Sequence, residues 1–165
     1  MRIPIVNERD EIIGYKDRRD RNLVDITRVA ALWITDREGN ILLAQRSLTK
    51  DINPGLWGPA VAGTVEEGET YESNIIKEAE EEIGLKNIIP IIGPKLLRES
   101  THKYFGQWFM LVIDRNTKIT KQDSEVEELR WFSAGELNDL LKNKPEIFLK
   151  DFNKSVELFK DENKN

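Results

Sequence analysis

The sequence contains no cysteine and only one histidine, His102. The lack of cysteine excludes disulfide bonds, thiolate zinc sites and cysteine nucleophiles. A histidine-rich metal site is excluded as well, and a serine hydrolase would have to be built around His102 alone. Several common enzyme mechanisms are therefore closed to this chain.

Long apolar runs and an excess of basic charge are also missing. No stretch approaches the roughly 20 apolar residues that span a bilayer, and charges interrupt the N-terminal segment where a signal peptide would be apolar. We therefore expect a cytoplasmic protein with no membrane partner. The net charge of -5 argues against a nucleic-acid partner, because duplex affinity comes mostly from Lys and Arg on phosphates. A small anionic substrate would need a bridging cation.

The length and the turn residues predict how the chain is organised. A length of 165 residues suits one domain, which we place at residues 1–165. Two apolar runs around the turn at residues 7–10 predict an N-terminal β-hairpin, and the turn at residues 36–40 predicts a second hairpin. Residues 16–22, KDRRDRN, are dense in charge, which is typical of a solvated connector rather than a binding patch.

The rest of the chain indicates a mixed sheet with helices. Residues 47–69 are too rich in Gly and Pro for a long helix, whereas helix formers run from Thr70 to Ile83 and end at Gly84. Strand-like runs follow, then two amphipathic helices and a frayed tail. The segments are IIPIIGPKLL, HKYFGQWFMLVID and EELRWF, then GELNDLLKN and EIFLKDFNKSVELFK, and last DENKN. We predict an α/β or α+β fold in which helices sandwich a mixed sheet.

Three glutamates of the central helix form the most informative pattern in the sequence. At about 100° per residue, Glu78, Glu81 and Glu82 fall within an arc of roughly 100° on one helix face. Like charges at these spacings destabilise a helix, and the only adjacent cation is Lys77. A run such as EAEEE is often just a solvated face. A bound Mg²⁺ ion, which prefers oxygen ligands and bridges to phosphates, would neutralise the crowded charge.

The segment around these glutamates resembles the signature of the Nudix hydrolase family, G-x5-E-x7-R-E-U-x-E-E-x-G-U, where U is a bulky aliphatic residue. Seven positions match, and two depart because the sequence has Lys77 in place of Arg and Ala79 in place of a larger aliphatic residue. The matching residues are Gly63, Glu69, Glu78, Glu81, Glu82, Gly84 and Leu85. Similarity extends from the second predicted hairpin to EVEELRWFSAGEL, so the resemblance covers most of the chain and implies the Nudix fold.

The resemblance implies a role for each matching residue. Glu78, Glu81 and Glu82 would be catalytic ligands of Mg²⁺, for which Mn²⁺ can substitute, and the carbonyl of Gly63 would assist them. Glu69 would support the loop and the metal shell. Lys77 would supply the charge of the family's Arg but not its planar hydrogen-bonding fork. Three residues are candidates for the general base: Glu78, Glu125 and Glu127.

The flanking residues resemble the Nudix branch that includes isopentenyl-diphosphate isomerase. Arg46 and Lys50 match basic residues that hold the substrate diphosphate there. The isomerase's catalytic cysteine and metal-binding histidines are replaced by Ala62, Thr64 and, in a less certain alignment, Thr27. Hydrolysis is therefore favoured over isomerisation.

The aromatic residues do not determine the identity of the substrate. Trp57, in the glycine-rich loop, is a candidate for stacking on the substrate. Tyr104 and Trp108 share one strand face and Phe105 and Phe109 the other, and either pair could stack on a base, although such residues usually belong to the core.

The sequence thus predicts a hydrolase that cleaves the diphosphate linkage of a nucleoside diphosphate derivative or another organic pyrophosphate. The expected partner is a small phosphorylated molecule. The sequence does not decide whether the protein forms a homodimer. Two alternatives remain: an isopentenyl-diphosphate isomerase-like protein, which the missing cysteine opposes, and a non-catalytic Nudix-fold nucleotide-binding module, which the complete glutamate set opposes.

Overall fold

A computed structural model describes residues 1–160, so the predicted frayed tail at 161–165 lies outside the described residues. The described part contains nine strands and three α-helices. In chain order they are β1 (Arg2–Val6), β2 (Ile12–Asp17), β3 (Ile26–Thr35), β4 (Ile41–Arg46), β5 (Trp57–Pro59), β6 (Val61–Thr64), α1 (Tyr71–Ile83), β7 (Ile91–Glu99), β8 (Lys103–Val112), β9 (Val126–Phe132), α2 (Ala134–Asn143) and α3 (Phe152–Lys160). No helix within 1–160 is both long and apolar enough to cross a membrane.

Strand β3 lies at the centre of a mixed sheet. It runs parallel to β8 along its whole length, from Ile26 opposite Lys103 to Thr35 opposite Val112. Its other edge pairs antiparallel with β1, β6 and β4 in turn. The remaining strands extend the sheet through β1–β2, β4–β5, β4–β9 and β7–β8, all antiparallel. The sheet therefore brings β6, which precedes α1, beside the middle of β3.

The alternation of side chains along β3 builds a hydrophobic core on each face of the sheet. Trp33 points into one core, where its ring stacks on Phe159 of α3 at a centroid distance of 4.4 Å. Leu32 and Ile34 point into the other core, which α1 covers with buried apolar side chains. Those α1 residues are Ile75, Ala79 and Ile83. Helices thus lie on both faces of the sheet, as predicted.

The strand and helix predictions are confirmed with one exception. Both hairpins form, and the central helix begins after Thr70 and ends before Gly84. The last predicted helix is wrong over residues 146–151, where a short 3₁₀ turn and an extended segment replace it. The Leu149 amide donates to the Trp57 carbonyl at 2.9 Å, and Asp151 has a positive φ of 64°. Pairing with β5 therefore delays the helix until Phe152.

A buried ion-pair network joins the N-terminal hairpin to the rest of the fold. The Asp10 carboxylate, only 8% exposed, accepts hydrogen bonds from Arg28 Nε at 2.7 Å, Tyr71 Oη at 2.9 Å and Lys95 Nζ at 2.7 Å. Burial alone would raise the pKa of Asp10, but the bonds from Lys95, Arg28 and Tyr71 outweigh it and hold the pKa below 3.8. One turn residue thus connects β3, α1 and β7.

Replacing this carboxylate should destabilise the protein in a pH-dependent way. Asp10→Asn keeps the size of the side chain and tolerates the positive φ of 61°, but it leaves Arg28 and Lys95 without their buried partner. We expect a loss of about 3 kcal/mol in the free energy of unfolding near pH 7. Because the folded pKa is lowered, the carboxylate stabilises the fold above pH 3.8, and this stabilisation disappears as the pH falls through the folded pKa.

Urea unfolding at pH 7 and at acid pH measures both effects. Glu8→Gln in the same turn is the matched control, since Glu8 is exposed, and it should change little. An equal loss for Asp10→Asn at both pH values would contradict the ion-pair explanation.

Candidate active site

Helix α1 carries the glutamates and is fixed at both ends. At its start the Thr70 hydroxyl accepts from the Ser73 amide at 3.0 Å, and the Thr70 amide donates to the Ser73 hydroxyl at 2.9 Å, which completes a capping box. At its end Gly84 adopts a left-handed φ of 72°. The buried Ala79 and Ile83 face β3 and its neighbours. This packing leaves the glutamate face beside β6, with Glu81 exposed and Glu78 and Glu82 half-buried.

The three glutamates of α1 line one wall of a polar cavity of about 420 Å³, which we call the glutamate cavity. The other walls bring together residues that are far apart in the sequence. They include Arg18, Arg46, Lys50, Ala62, Gly63 and Glu125, besides Glu78, Glu81 and Glu82. Carboxylates and cations therefore face each other across one opening, as a phosphate site bridged by a metal requires.

The carboxyl groups in this cavity repel one another. Burial, together with the charges of Glu78 and Glu125, raises the pKa of Glu82 to about 9. Burial also raises the pKa of Glu78, although the charge of Lys77 opposes the shift. In the absence of a cation, Glu82 therefore retains a proton at neutral pH that an isolated carboxyl would lose. The donor set is therefore short of positive charge, and all its atoms are oxygens, so it fits a hard divalent cation.

Gly63 allows the backbone of β6 to approach Glu78 closely. A Cβ atom at position 63 would lie 2.5 Å from Glu78 Cγ and 2.9 Å from Glu78 Oε1. Any other residue would displace the carboxylate, so glycine is required here. The carbonyl predicted to assist a metal belongs to this residue.

Glu69 anchors the loop between β6 and α1. Its carboxylate accepts from the Glu66 amide at 2.9 Å, from Asn74 Nδ2 at 2.9 Å and from Lys77 Nζ at 2.5 Å. Lys77 Nζ also lies 3.8 Å from Glu78 Oε1. Lys77 therefore connects the loop to the glutamate wall with a single charge, while the buried Asn74 supplies a second donor to Glu69.

Glu125 reaches the cavity because its loop is tied to the end of α1. The Gln122 amide donates to the Glu82 carbonyl at 2.8 Å, and the Thr120 amide donates to the Ile83 carbonyl at 3.0 Å. These bonds satisfy helix carbonyls that would otherwise lack partners. Lys50 Nζ contacts Glu125 Oε2 at 2.6 Å across the opening. The sequence suggested Glu125 only from a family pattern, since a loop 43 positions beyond Glu82 has no local signal of proximity.

Not all of the predicted site residues lie in the cavity. Trp57 is only 9% exposed and packs edge-to-face on Phe132 at 5.3 Å, so it belongs to the core and the predicted stacking role is wrong. Glu127 is exposed on β9 outside the cavity lining, near the Leu48 amide at 3.5 Å. Conversely, Arg18 lines the cavity although its charged segment was interpreted as a connector. Arg18 comes close to the cavity only because of the fold, so no pattern in the sequence indicates its position.

The three glutamates line the same cavity, but their carboxylates do not converge into a complete metal-coordination site. Within residues 1–160, no three His, Cys, Asp or Glu side chains converge closely enough to hold an ion by themselves. Mg²⁺ usually keeps several waters and takes further oxygens from substrate phosphates, so a looser arrangement still suits it.

Comparison with known proteins identifies the domain. A NUDIX domain model matches residues 25–152. A Nudix hydrolase of Deinococcus radiodurans is 35% identical over 86 residues, which are 52% of this chain and 50% of that protein. The match thus spans about half the length of that relative. An isopentenyl-diphosphate Delta-isomerase 2 of Photorhabdus laumondii is 26% identical over 158 residues, covering 92% of this chain and 88% of the isomerase.

The fold is also similar to that of solved structures. The crystal structure of DR0079 from Deinococcus radiodurans superimposes with a TM-score of 0.83 at 23% identity, and the match covers 95% of this chain and 98% of that one. The predicted arrangement of a mixed sheet between helices therefore agrees with an experimentally known fold.

The crowded carboxylates should make the metal-free protein less stable as the pH rises. Because the folded pKa of Glu82 is about 9 and its ordinary value is 4.5, the folded protein holds a proton that the unfolded chain releases. The resulting stability is fully present below pH 4.5 and is lost as the pH rises toward 9. The slope is at most about 1.4 kcal/mol per pH unit. Glu82→Gln should remove much of this slope.

Thermal melts in EDTA at pH 5 and pH 8 test this expectation. The variant should gain stability relative to the wild type at pH 8, and added Mg²⁺ should stabilise the wild type more than the variant. A variant that is markedly less stable than the wild type at pH 8 would show that Glu82 acts instead in a structural ion pair.

Proposed function

The chain belongs to the Nudix hydrolase family, and on that premise we propose that it is a Mg²⁺-dependent hydrolase. Its substrate would be a nucleoside diphosphate derivative or a similar organic pyrophosphate, which it would cleave at the diphosphate linkage. The observation that carries the proposal is the glutamate cavity, where Glu78, Glu81 and Glu82 face Arg46 and Lys50. An acidic wall suits a metal, and a basic wall suits phosphate oxygens. A diphosphate would lie between the two walls.

The metal would be held by the three glutamates of α1, with the Gly63 carbonyl beside them. When bound, Mg²⁺ or Mn²⁺ polarises the diphosphate and lowers the pKa of the attacking water. The protein holds this wall in place through Lys77 and Glu69, which connect the loop to the helix.

Arg46 and Lys50 orient the diphosphate. Arg46 Nε donates to the Ile52 carbonyl at 3.0 Å, which fixes the guanidinium at the cavity edge and leaves its other donors for phosphate oxygens. Lys50 is held by Glu125, and a substrate phosphate would compete with that carboxylate for the ammonium group. Substrate binding thus frees Glu125 from its ion pair.

This release supports Glu125 as a general base. A carboxylate relieved of its Lys50 partner can accept a proton from the attacking water. Glu78 is the other candidate, because it also lines the cavity. Glu127 is set aside because its side chain lies outside the lining.

A second, apolar cavity offers room for the group beyond the diphosphate. It has a volume of about 170 Å³ and shares Val29 and Ala62 with the glutamate cavity. Tyr104 and Trp108 line it. We propose that a planar group such as a nucleobase enters this apolar cavity, in place of the stacking on Trp57 that the sequence indicated.

Removing the metal or one ligand should abolish hydrolysis. With EDTA the activity on nucleoside diphosphate derivatives should disappear and should return with excess Mg²⁺. Glu82→Gln should lower kcat by about two orders of magnitude or more. Glu80→Gln is the matched control, because Glu80 is exposed on the same helix and pairs with Lys86 at 3.9 Å. Full activity in EDTA, or an equal loss in both variants, would refute the mechanism.

The wild type should leave isopentenyl diphosphate unisomerised at any Mg²⁺ concentration. Isomerisation needs a group that exchanges a proton with carbon, and Ala62 has none. Ala62→Cys alone should not create the activity, because acid–base groups act as a set and Thr64 remains unchanged. Hydrolysis should survive in this variant. Proton NMR of the products detects any isomer formed from isopentenyl diphosphate. Isomer formed by the wild type would contradict the assignment and place the chain in the isomerase branch.

A further inference from the structure

A third cavity adjoins the glutamate cavity and has the opposite charge. It has a volume of about 260 Å³ and shares Arg18, Val29 and Arg46 with its neighbour. Arg21, His102 and Lys150 complete its polar wall. None of the described residues that line it is acidic. We call this third cavity the cationic annex.

The cations of the annex lack counter-charges from the protein. Arg18, Arg21, Arg46 and Lys150 have no carboxylate of residues 1–160 within ion-pair distance, whereas the neighbouring Arg19 is paired with Asp17 at 3.0 Å. The whole chain carries 30 acidic and 25 basic side chains. Arg18 and Lys150 are exposed and Arg21 and Arg46 are half-buried, so all four can present unpaired positive charge to an incoming anion.

Arg21 and His102 both line this cavity and contact each other. Arg21 Nη2 lies 3.4 Å from His102 Nδ1, and since a guanidinium has no acceptor, Nδ1 accepts the hydrogen bond. Burial, with the charges of Arg21 and Arg18, lowers the pKa of His102. The lowered pKa favours the neutral imidazole, and the hydrogen bond from Arg21 to Nδ1 places its proton on Nε2. It offers an N–H donor without adding to the repulsion.

We propose that the cationic annex binds a second anionic group of the substrate, separate from the diphosphate at the glutamates. The substrate would then be an organic diphosphate that carries a further phosphate group. This inference rests on the proposed function, because it describes the substrate of that same site. Arginine suits the role, since its planar fork matches phosphate oxygens.

The three cavities meet at one point of the sheet, so one molecule can occupy all of them. Val29 of β3 lines each of the three, and Tyr104, Leu149 and Lys150 line both the annex and the apolar cavity. A nucleoside in the apolar cavity would thus have its diphosphate at the glutamates and its additional phosphate at the annex. A sugar phosphate on the nucleoside is the simplest group with this branching.

Binding of inorganic phosphate to the metal-free protein tests the annex without any catalysis. His102 is the only histidine, so its imidazole proton resonances report on this cavity alone. Phosphate should shift them in a saturable way, and calorimetry should give the matching affinity. Arg21→Gln and Lys150→Gln should each raise the phosphate concentration needed for half-saturation by about tenfold, the loss expected for one charge-assisted hydrogen bond. Arg19→Gln, which removes a paired and exposed arginine of the same segment, should leave it unchanged.

Hydrolysis of matched substrates tests the assignment to the substrate. With Mg²⁺, ADP-ribose 2′-phosphate should have a kcat/KM about tenfold or more above that of ADP-ribose. Arg21→Gln should lose this preference while keeping activity on ADP-ribose, because Arg21 lines the annex and neither of the other two cavities. Absence of a His102 shift, or equal phosphate affinities in wild type and variants, would overturn the anion site. A shift without any substrate preference would overturn its role in the substrate. If neither compound is hydrolysed while phosphate still binds, the proposed function fails and the anion site stands.

Discussion

The repulsion between carboxylates on one face of α1 is the constraint on which the site depends. Burial and the charge of Glu78 raise the pKa of Glu82, and burial with the charge of Glu81 raises the pKa of Glu78. Such an arrangement is stable only if the rest of the fold holds the helix firmly and supplies positive charge nearby. The apolar face of α1 gives the first condition through the buried Ile75 and Ala79. Lys77, and a divalent cation when bound, give the second.

The loop before the helix shows how a departure from the family signature is accommodated. The signature's Arg would offer several donors in a plane, and Lys77 offers a single ammonium group. Here the Glu69 carboxylate also accepts from Asn74 and from the Glu66 amide, so its oxygens are satisfied by three separate groups. Asn74 is fully buried and bonds to the Thr64 carbonyl as well at 3.1 Å. The rigidity of this loop therefore depends on packing around an amide as much as on the cation.

Local patterns predicted the helix and hairpins, whereas contacts between distant segments could not be predicted. The spacing of Glu78, Glu81 and Glu82 fixed their common face, because helical periodicity is a local property. The burial of Trp57 followed from the packing of β5 against Phe132, and the loss of helix at 146–151 followed from the bond between Leu149 and Trp57. Both depend on which segments meet in the sheet. The position of Arg18 in the cavity lining could not be predicted for the same reason. A charged segment is typical of a solvated connector, and only the fold shows that this one lies beside a cavity.

The separation of charge around Val29 would allow a protein of net charge -5 to attract the proposed anionic substrate. The glutamates alone would repel a diphosphate, and a metal only partly compensates three carboxylates and a fourth at Glu125. Arg46 lines both the glutamate cavity and the annex, so its charge acts on both sides of the boundary. Cations gathered on that side give an approaching anion a favourable field before it meets the acidic wall. The same arrangement would orient the proposed substrate, because its more highly charged end would be drawn toward the annex and its diphosphate would be left beside α1.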